Sequence, residues 1–238
     1  YGQRYKADGT PEYKADGTTP DEFLVNTHTT SSQGGHFVAA LEDGKFVVVW
    51  ISQNQVPDTY TYYNDVFAQR YKADGTKDGS EFRVNTQTTE NQWQPCVAHV
   101  GSGKFVVAWQ SFISYSGDIH AQRYAADGTK EGSYFVVNTE TTYSQQRPSV
   151  AHLGDGKFVI TWASQLQVSS TSSYDIYGQR YKADGTPEYK ADGTTPDEFL
   201  VNTHTANEQI DPIVTGLDAG KFVVVWRSNN QAFSNSGY

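Results

Sequence analysis

The fold of this chain is set by a repeated unit whose clearest copy reads GKFVVAW at residues 103–109, IHAQRYAADGT at 119–129 and YFVVNT at 134–139. Its arginine recurs at Arg4, Arg70, Arg123 and Arg180, with spacings of 66, 53 and 57 residues. Its tryptophan recurs at Trp50, Trp109, Trp162 and Trp226, with spacings of 59, 53 and 64 residues. The arginine and tryptophan spacings independently indicate four copies. Repetition every 53 to 66 residues indicates a propeller or a solenoid.

Each copy contains four runs with the composition of β-strands. The first run begins around a proline, as in RPSVAHL at 147–153, and proline is tolerated at the start of a strand. The second, of the type KFVVAW, is apolar on both faces, which suits a strand inside a stack of sheets. The third ends at Ala-Asp-Gly-Thr, and Asp-Gly between alternating residues predicts a hairpin into a fourth run, such as EFRVNT at 81–86.

These features predict an all-β chain, namely a four-bladed β-propeller of four-stranded antiparallel blades that forms one domain over residues 1–238. The turn before each second run carries a glycine where positive φ is needed, at Gly44, Gly103, Gly156 and Gly220. Residues 1–29 supply outer strands and residues 207–238 supply inner strands. We therefore expect the two terminal segments to pair and to close the ring through a split fourth blade.

Residues 1–29 are identical to residues 177–205, and the identity stops at Thr30 against Ala206. Packing alone does not preserve every surface residue, so a recent duplication is the simplest explanation. The sequence starts at Tyr1 and contains no methionine. We expect either that a leader was removed or that the chain is a segment of a longer tandem array.

Charge and cysteine content exclude several classes of protein. With 27 acidic and 18 basic residues the formal net charge is -9, which argues against a nucleic-acid or anionic-membrane partner. The single cysteine, Cys96, excludes an intramolecular disulfide and is expected to be a buried, unreactive thiol. No stretch approaches 18 apolar residues, so we expect no membrane insertion.

The patterns YGQRYKADGT, EF-x-VNT, P-x-VAHL and DGKFVVxW resemble the tandem repeats of very large secreted and surface proteins of bacteria. The likeness covers nearly the whole chain. The blades also resemble those of sialidase-type propellers, whose Asp-box hairpin corresponds to Ala-Asp-Gly-Thr here, although the serine and tryptophan that complete that box are missing. The resemblance implies a propeller in an extracellular setting, secreted or on the cell surface, and says little about a ligand.

Aromatic and amide side chains in the variable loops are the candidate ligand-binding residues. The loops between outer and inner strands offer Trp93 and Tyr143 as stacking platforms, with Gln92, Gln94 and Gln146 as hydrogen-bonding partners. The loop after the first copy's second run adds Tyr60, Tyr62 and Tyr63. The alternative, that these are ordinary polar loops, stays open.

Two further sets of residues are candidates for chemistry. His99 and His152 occupy one inner-strand position in consecutive copies and are the candidate ligands of a channel metal ion, with hydrogen bonds to neighbouring carbonyls as the alternative. A sialidase-like site needs an arginine cluster. Only Arg83, Arg147 and Arg227 fall outside the repeat pattern, and we expect them at different levels of their blades.

The sequence thus predicts a non-enzymatic extracellular module for adhesion or glycan binding, without a cofactor. Its expected partner is a glycan or a protein of the cell surface or matrix. A structural repeat unit of a filament or surface layer, with self-association, is the alternative, and a sialidase-like glycosidase is the third hypothesis.

Overall fold

The computed structural model describes residues 1–14, 16–55, 63–113, 116–167 and 174–229. The strands in these residues are β1 (Gln33–Ala40), β2 (Phe46–Gln53), β3 (Asn64–Tyr71), β4 (Phe82–Arg83), β5 (Gln92–Gly101), β6 (Lys104–Ile113), β7 (Ser116–Tyr124), β8 (Lys130–Val136), β9 (Gln145–Gly154), β10 (Lys157–Gln165), β11 (Tyr174–Tyr181), β12 (Phe199–Leu200), β13 (Gln209–Gly216) and β14 (Phe222–Ser228). Two short 3-10 turns, Glu42–Gly44 and Asp218–Gly220, join β1 to β2 and β13 to β14. No helix in the described residues is long and apolar enough to cross a membrane.

The strands form successive antiparallel sheets in chain order. Blade I is β1-β2-β3-β4, blade II is β5-β6-β7-β8 and blade III is β9-β10-β11-β12, whereas β13 and β14 form a two-stranded C-terminal half-blade. Each neighbouring pair is antiparallel, as in Phe158↔Tyr181 between β10 and β11. The all-β class and the four-stranded antiparallel blade of a propeller-like fold are therefore confirmed.

The core lies between the blades and is built mainly from the second strands. Val106 and Ala108 of β6 belong to the same buried cluster as Ile160 and Trp162 of β10. Such strands are apolar on both faces because each sheet packs against a blade on either side. Cys96 lies in this cluster, and burial raises the pKa of its thiol to about 12, which fits an unreactive structural residue.

The Ala-Asp-Gly-Thr hairpin is held by its own aspartate. Oδ1 of Asp127 accepts the Thr129 amide at 2.9 Å and the Thr129 hydroxyl at 2.7 Å. These hydrogen bonds, the hydroxyl first, lower the pKa of Asp127. The glycine before each second strand also has the expected positive φ, for example 69° at Gly103 and 76° at Gly156.

Two of the three outer strands in the described residues, β4 and β12, are shorter than the sequence predicts, whereas β8 has seven residues. The run EFRVNT contributes only the two residues Phe82–Arg83 to the ladder. The Val84 amide still donates to the Val66 carbonyl at 2.8 Å. Beyond it, the side chain of Asn85 replaces backbone pairing, because its Oδ1 accepts the Val66 amide at 2.8 Å and its Nδ2 donates to Asp65 at 2.5 Å. The asparagine of the VNT motif thus ends the strand and ties the outer segment to the third strand.

The expected closure of the ring is wrong. Among the described residues, β14 pairs with β13 and not with residues 1–5. Gly2 instead bridges Phe23, and the N-terminal segment, residues 1–29, packs on blade I, where the Phe23 and Tyr71 rings are 5.2 Å apart. Contacts between successive blades satisfy this segment without closure, so the repeat pattern alone did not require the ends to meet.

A pH-dependent stability follows from His120, whose buried ring lies 5.9 Å from the Trp109 ring and 5.2 Å from the Tyr134 ring. Burial lowers its pKa to about 4, whereas an unfolded histidine titrates near about 6.5. Below that pH the unfolded chain binds a proton that the native chain does not, so stability falls as the pH drops from about 6.5 towards 4. Between pH 6.5 and 5 we expect a loss of about 2 kcal/mol from this group.

The control is His120→Phe, since Phe67 occupies the matching position opposite the tryptophan of blade I. Urea unfolding at several pH values should show a smaller loss for this variant between pH 6.5 and 5. An equal dependence of unfolding free energy on pH in the two proteins would show that His120 binds a proton as readily in the native state as in the unfolded chain.

Candidate functional site

Each inner strand carries a β-bulge at one repeat position. The residues there all have positive φ: 56° at Gly35, 50° at Gln94, 57° at Arg147 and 59° at Asp211. The register shifts at this point in β1, β5, β9 and β13. Non-glycine residues adopt this conformation at a cost, and such strain concentrates at functional sites. The backbone is repeated while the side chain differs in every copy, which is the pattern expected of a binding position on a common scaffold.

The bulges bring charged side chains of two blades together. Nη1 of Arg147 contacts Oδ1 of Asp211, and Nη1 of Arg227 lies 3.5 Å from Oδ2 of the same carboxylate. Nη2 of Arg227 also lies 3.6 Å from Oε2 of Glu208. The Arg147 amide donates to Oε1 of Gln94 at 2.8 Å, which links blade II to the group. We call Gln94, Arg147, Glu208, Asp211 and Arg227 the bulge cluster.

The bulge cluster is partly open to solvent. Its ion-paired side chains range from 28% exposed for Glu208 to 56% for Arg227. Ion pairs of this exposure contribute little to stability. Their convergence on one carboxylate forms a polar, solvent-accessible surface where two blades meet, which makes the bulge cluster a candidate ligand site.

The expectation that the three unrepeated arginines lie at different levels is wrong for two of them. The bulge in β9 sets Arg147 towards β13, and Arg227 pairs in register with Ile210, next to Asp211. Arg83 lies elsewhere, 3.8 Å from Asp65. The residue before the inner-strand proline is Gln94, Arg147 or Asp211 in three copies, and this change of charge at one position was the signal that sequence reasoning missed.

The predicted ligand residues of the outer-to-inner loops occupy different environments. Gln92 is fully buried, and its Oε1 accepts the Trp109 indole proton at 2.9 Å, so its position is that of a core residue. Gln94 belongs to the bulge cluster, and Gln146 directly precedes Arg147. Trp93 is exposed beside Gln94 in the chain, and Tyr143 is exposed as well. Their ligand roles remain predictions.

The predicted tyrosine loop is described only in part. Tyr63 is half-buried directly before β3, while Tyr60 and Tyr62 lie outside the described residues.

The predicted metal ligands meet at the opposite end of the inner strands. The His99 and His152 rings are 6.2 Å apart, and Nε2 of His99 lies 3.7 Å from Oε1 of Glu42. Burial, and then the neighbouring His99, lower the pKa of His152. In the described part of the chain no group of three candidate ligands forms around them. Metal binding by this pair stays a prediction.

Comparison with solved structures finds similarity to several proteins whose names describe glycoside hydrolases and related enzymes. It is similar to sucrose-6-phosphate hydrolase from Lactobacillus gasseri (12% identity, TM-score 0.47, 79% of this chain and 40% of that one). It is also similar to an endo-arabinase from Bacteroides thetaiotaomicron (16%, 0.42, 74% and 62%) and to a thermostable family-43 glycoside hydrolase (11%, 0.45, 77% and 62%). The chain spans less than two thirds of each of these proteins.

No family model matches the sequence, and no curated protein matches it. At these identities the structural likeness concerns the fold.

These neighbours are enzymes by name, and they contradict the expectation of a non-enzymatic adhesion or glycan-binding module without catalysis. That expectation is wrong. It rested on repeat-placed arginines and on the composition of loops. Neither observation excludes a site assembled from inner-strand positions that differ between the copies.

Proposed function

We propose that the bulge cluster is the active site of a carbohydrate-cleaving enzyme, with Asp211 and Glu208 as its two carboxylates. The observation that carries the proposal is that one guanidinium group, that of Arg227, contacts both of them. Two carboxylates suffice for glycoside hydrolysis, because one protonates the leaving-group oxygen while the other activates a water molecule or attacks the sugar carbon.

The shared guanidinium group of Arg227 sets an upper limit on the separation of the two carboxylates. They contact Arg227 at 3.5 and 3.6 Å. Oxygens held at these distances on one planar guanidinium are no more than about 9.5 Å apart. Glycoside hydrolases place their paired carboxyl groups about 5 to 9.5 Å apart.

The contacts of each carboxylate suggest its role. Asp211 faces two guanidinium groups, from Arg147 and Arg227, and is assigned as the anionic partner that activates water or attacks the sugar carbon. Glu208 receives the Asn229 side-chain amide at Oε2 at a distance of 2.8 Å. Glu208 contacts one guanidinium group whereas Asp211 contacts two, so Glu208 has less positive charge beside it and is assigned as the acid that protonates the leaving-group oxygen.

Neighbouring side chains suit a neutral saccharide. Gln94 lies between the blades at the cluster, and the exposed Trp93 next to it offers an aromatic face for a sugar ring. The acidic chain does not disfavour an uncharged substrate. A secreted or surface setting for this activity remains a prediction.

The test is hydrolysis of a panel of aryl glycosides by the purified chain. On the aglycone that is released fastest, Asp211→Asn and Glu208→Gln should each reduce kcat by about 100-fold to 10,000-fold. Both substitutions preserve size, so folding is expected to be retained and is checked by urea unfolding.

The matched control is Glu12→Gln, which removes a carboxylate from the N-terminal segment and should leave kcat unchanged. Hydrolysis that survives both cluster substitutions would move the active site elsewhere. Absence of hydrolysis on the whole panel, or equal loss in the control, would contradict the proposal.

A further inference from the structure

Two contacts repeat at the junctions between successive blades and a third, the ladder of second and third strands, repeats within each complete blade; the C-terminal half-blade lacks one side of each. The first is an aromatic triad made by an outer-strand Phe, a second-strand Phe and a third-strand Tyr. In the last two junctions between complete blades it consists of Phe82, Phe105 and Tyr124, and of Phe135, Phe158 and Tyr181. At the half-blade only Phe199 and Phe222 are present, 6.1 Å apart.

The residue that completes the triad lies unused at the other end of the chain. Tyr5 has the same local sequence as Tyr181, yet it is 65% exposed, whereas Tyr181 is 2% exposed. Tyr181 lies under an outer strand, where its hydroxyl donates to the Val137 carbonyl at 3.5 Å. The corresponding seat for Tyr5 is against Phe199 and Phe222.

The second contact is a clamp of each repeat arginine on the next blade's hairpin. Arg4 donates to the Ala73 carbonyl at 2.9 Å, and Arg123 donates to the Ala183 carbonyl at 2.8 Å. Arg180 lies in the same repeat position and lines a cavity of about 950 Å³ with Glu188 and Gly220. In the described part of the chain no hairpin carbonyl occupies that position.

The hairpin that fits this cavity is the one at residues 6–10. A Cβ atom at Gly75 would lie 2.5 Å from Arg4, and one at Gly185 would lie 2.6 Å from Arg123, because these hairpins pack against the arginine of the preceding repeat. At Gly9 the same atom would meet nothing within 4 Å. The described residues therefore include one cavity at Arg180 without a hairpin and one hairpin, at residues 6–10, that contacts no arginine of a preceding blade.

The third contact is the strand ladder itself. In blade III, β10 pairs with YGQRY at residues 177–181, through Phe158↔Tyr181 and Trp162↔Tyr177. The same five residues stand at 1–5, and β14 offers the matching Phe222 to Trp226 with its outer edge unpaired among the described residues. The expected register is Phe222 with Tyr5 and Trp226 with Tyr1.

The end faces of the array complete the match. Val225 is 56% exposed, while Ala108 at the same position of β6 is fully buried beneath the next blade. Ile213 is exposed beside it, and at the opposite end Val38 is exposed on blade I. One apolar face is therefore exposed at each end of the array, and in the complete blades the equivalent face packs against a neighbouring blade.

We propose that a second copy of this chain is that neighbour: its residues 1–5 add to β14, its hairpin at 6–10 fills the cavity at Arg180, and its Val38 face covers Ile213 and Val225. The two half-blades then form one complete blade across the contact. Both copies keep the structure they have, because the docking repeats the existing relation of one blade to the next. Pairing within one chain would instead require the open array to bend until its ends meet.

Such a contact is head-to-tail, so each copy has one donating and one accepting end. The purified 238-residue chain should associate in sedimentation experiments in a concentration-dependent manner. Tyr5→Glu blocks the donating end and Val225→Glu blocks the accepting end, and each should weaken association at least about tenfold. Both side chains are exposed in the single chain, so neither substitution disturbs its core.

Mixing the two variants distinguishes this head-to-tail contact from nonspecific association. Each variant keeps the end that the other lacks, so the mixture should give dimers and nothing larger. A wild-type chain that stays monomeric at all concentrations, or a mixture that stays monomeric, would overturn the proposal.

A cysteine pair tests the register and the alternative of ring closure. Gln3→Cys with Val224→Cys places thiols at the positions equivalent to Gln179 and Ile160, which are directly opposed in blade III. Antiparallel neighbours are close enough for a disulfide, and the buried Cys96 does not compete. Oxidation should give disulfide-linked dimers and higher species. Linkage only within single chains, or no linkage, would contradict association through a second copy.

Discussion

Trp109→Ala is expected to lower the free energy of unfolding by about 3 to 5 kcal/mol, the range for truncation of a large buried aromatic residue. Trp109 is fully buried with Val107 and Tyr124 in the cluster between blades I and II. Its indole also donates to Oε1 of Gln92 at 2.9 Å, so the substitution leaves a buried amide oxygen without this partner. Urea unfolding followed by circular dichroism measures the loss.

The matched control is Trp93→Ala. Trp93 is the tryptophan outside the repeat pattern and is exposed on β5, so its removal should cost less than about 1 kcal/mol. If the two variants lost equal stability, the assignment of the repeated tryptophans to the contacts between blades would fail. A loss at Trp109 below about 1 kcal/mol would have the same consequence.

Asn202→Ala is expected to cost about 3 kcal/mol, because one side chain satisfies three partners. Its Oδ1 accepts the Ile176 amide at 2.6 Å, and its Nδ2 donates to Asp175 at 2.7 Å and to the His204 carbonyl at 3.0 Å. Asp175 is fully buried, so its carboxylate loses a hydrogen bond that water cannot replace.

The chain contains its own control for this prediction. Asn26 has the same neighbours in sequence as Asn202, but its Nδ2 donates to the His28 carbonyl at 2.5 Å, in the same loop. Asn26→Ala should therefore cost less than about 1 kcal/mol in urea unfolding. Equal losses at the two sites would show that the local sequence, and not the contact with the third strand, makes the asparagine important.

Local signals predicted the elements of each blade. Asp-Gly hairpins formed where expected, because Asp127 caps its own turn. Glycine before the second strand took positive φ, and the second strands of the complete blades are buried along most of both faces. These features depend on a few consecutive residues and on the burial of one strand, so a sequence pattern specifies them.

The bulge cluster could not be predicted in this way. Its members come from β5, β9, β13, β14 and the residue before β13, and the contact between Arg147 and Asp211 spans 64 residues. The shift of register at the bulge decides which side chain turns towards the next blade. Prediction from alternating residues assumes an uninterrupted register, so it assigns the residues at such a shift to the wrong face of the sheet.

What the sequence by itself determined is the repeat: four copies, antiparallel strands, hairpins and the blade as the unit of packing. What only the tertiary structure decided is whether each copy's contacts are filled. Residues 1–29 and 177–205 are identical, yet Tyr181 is buried under a preceding blade and Tyr5 is exposed. The physical reason is that burial in a stacked array depends on the blade next door, and identical residues have different neighbours at the end of the array than within it.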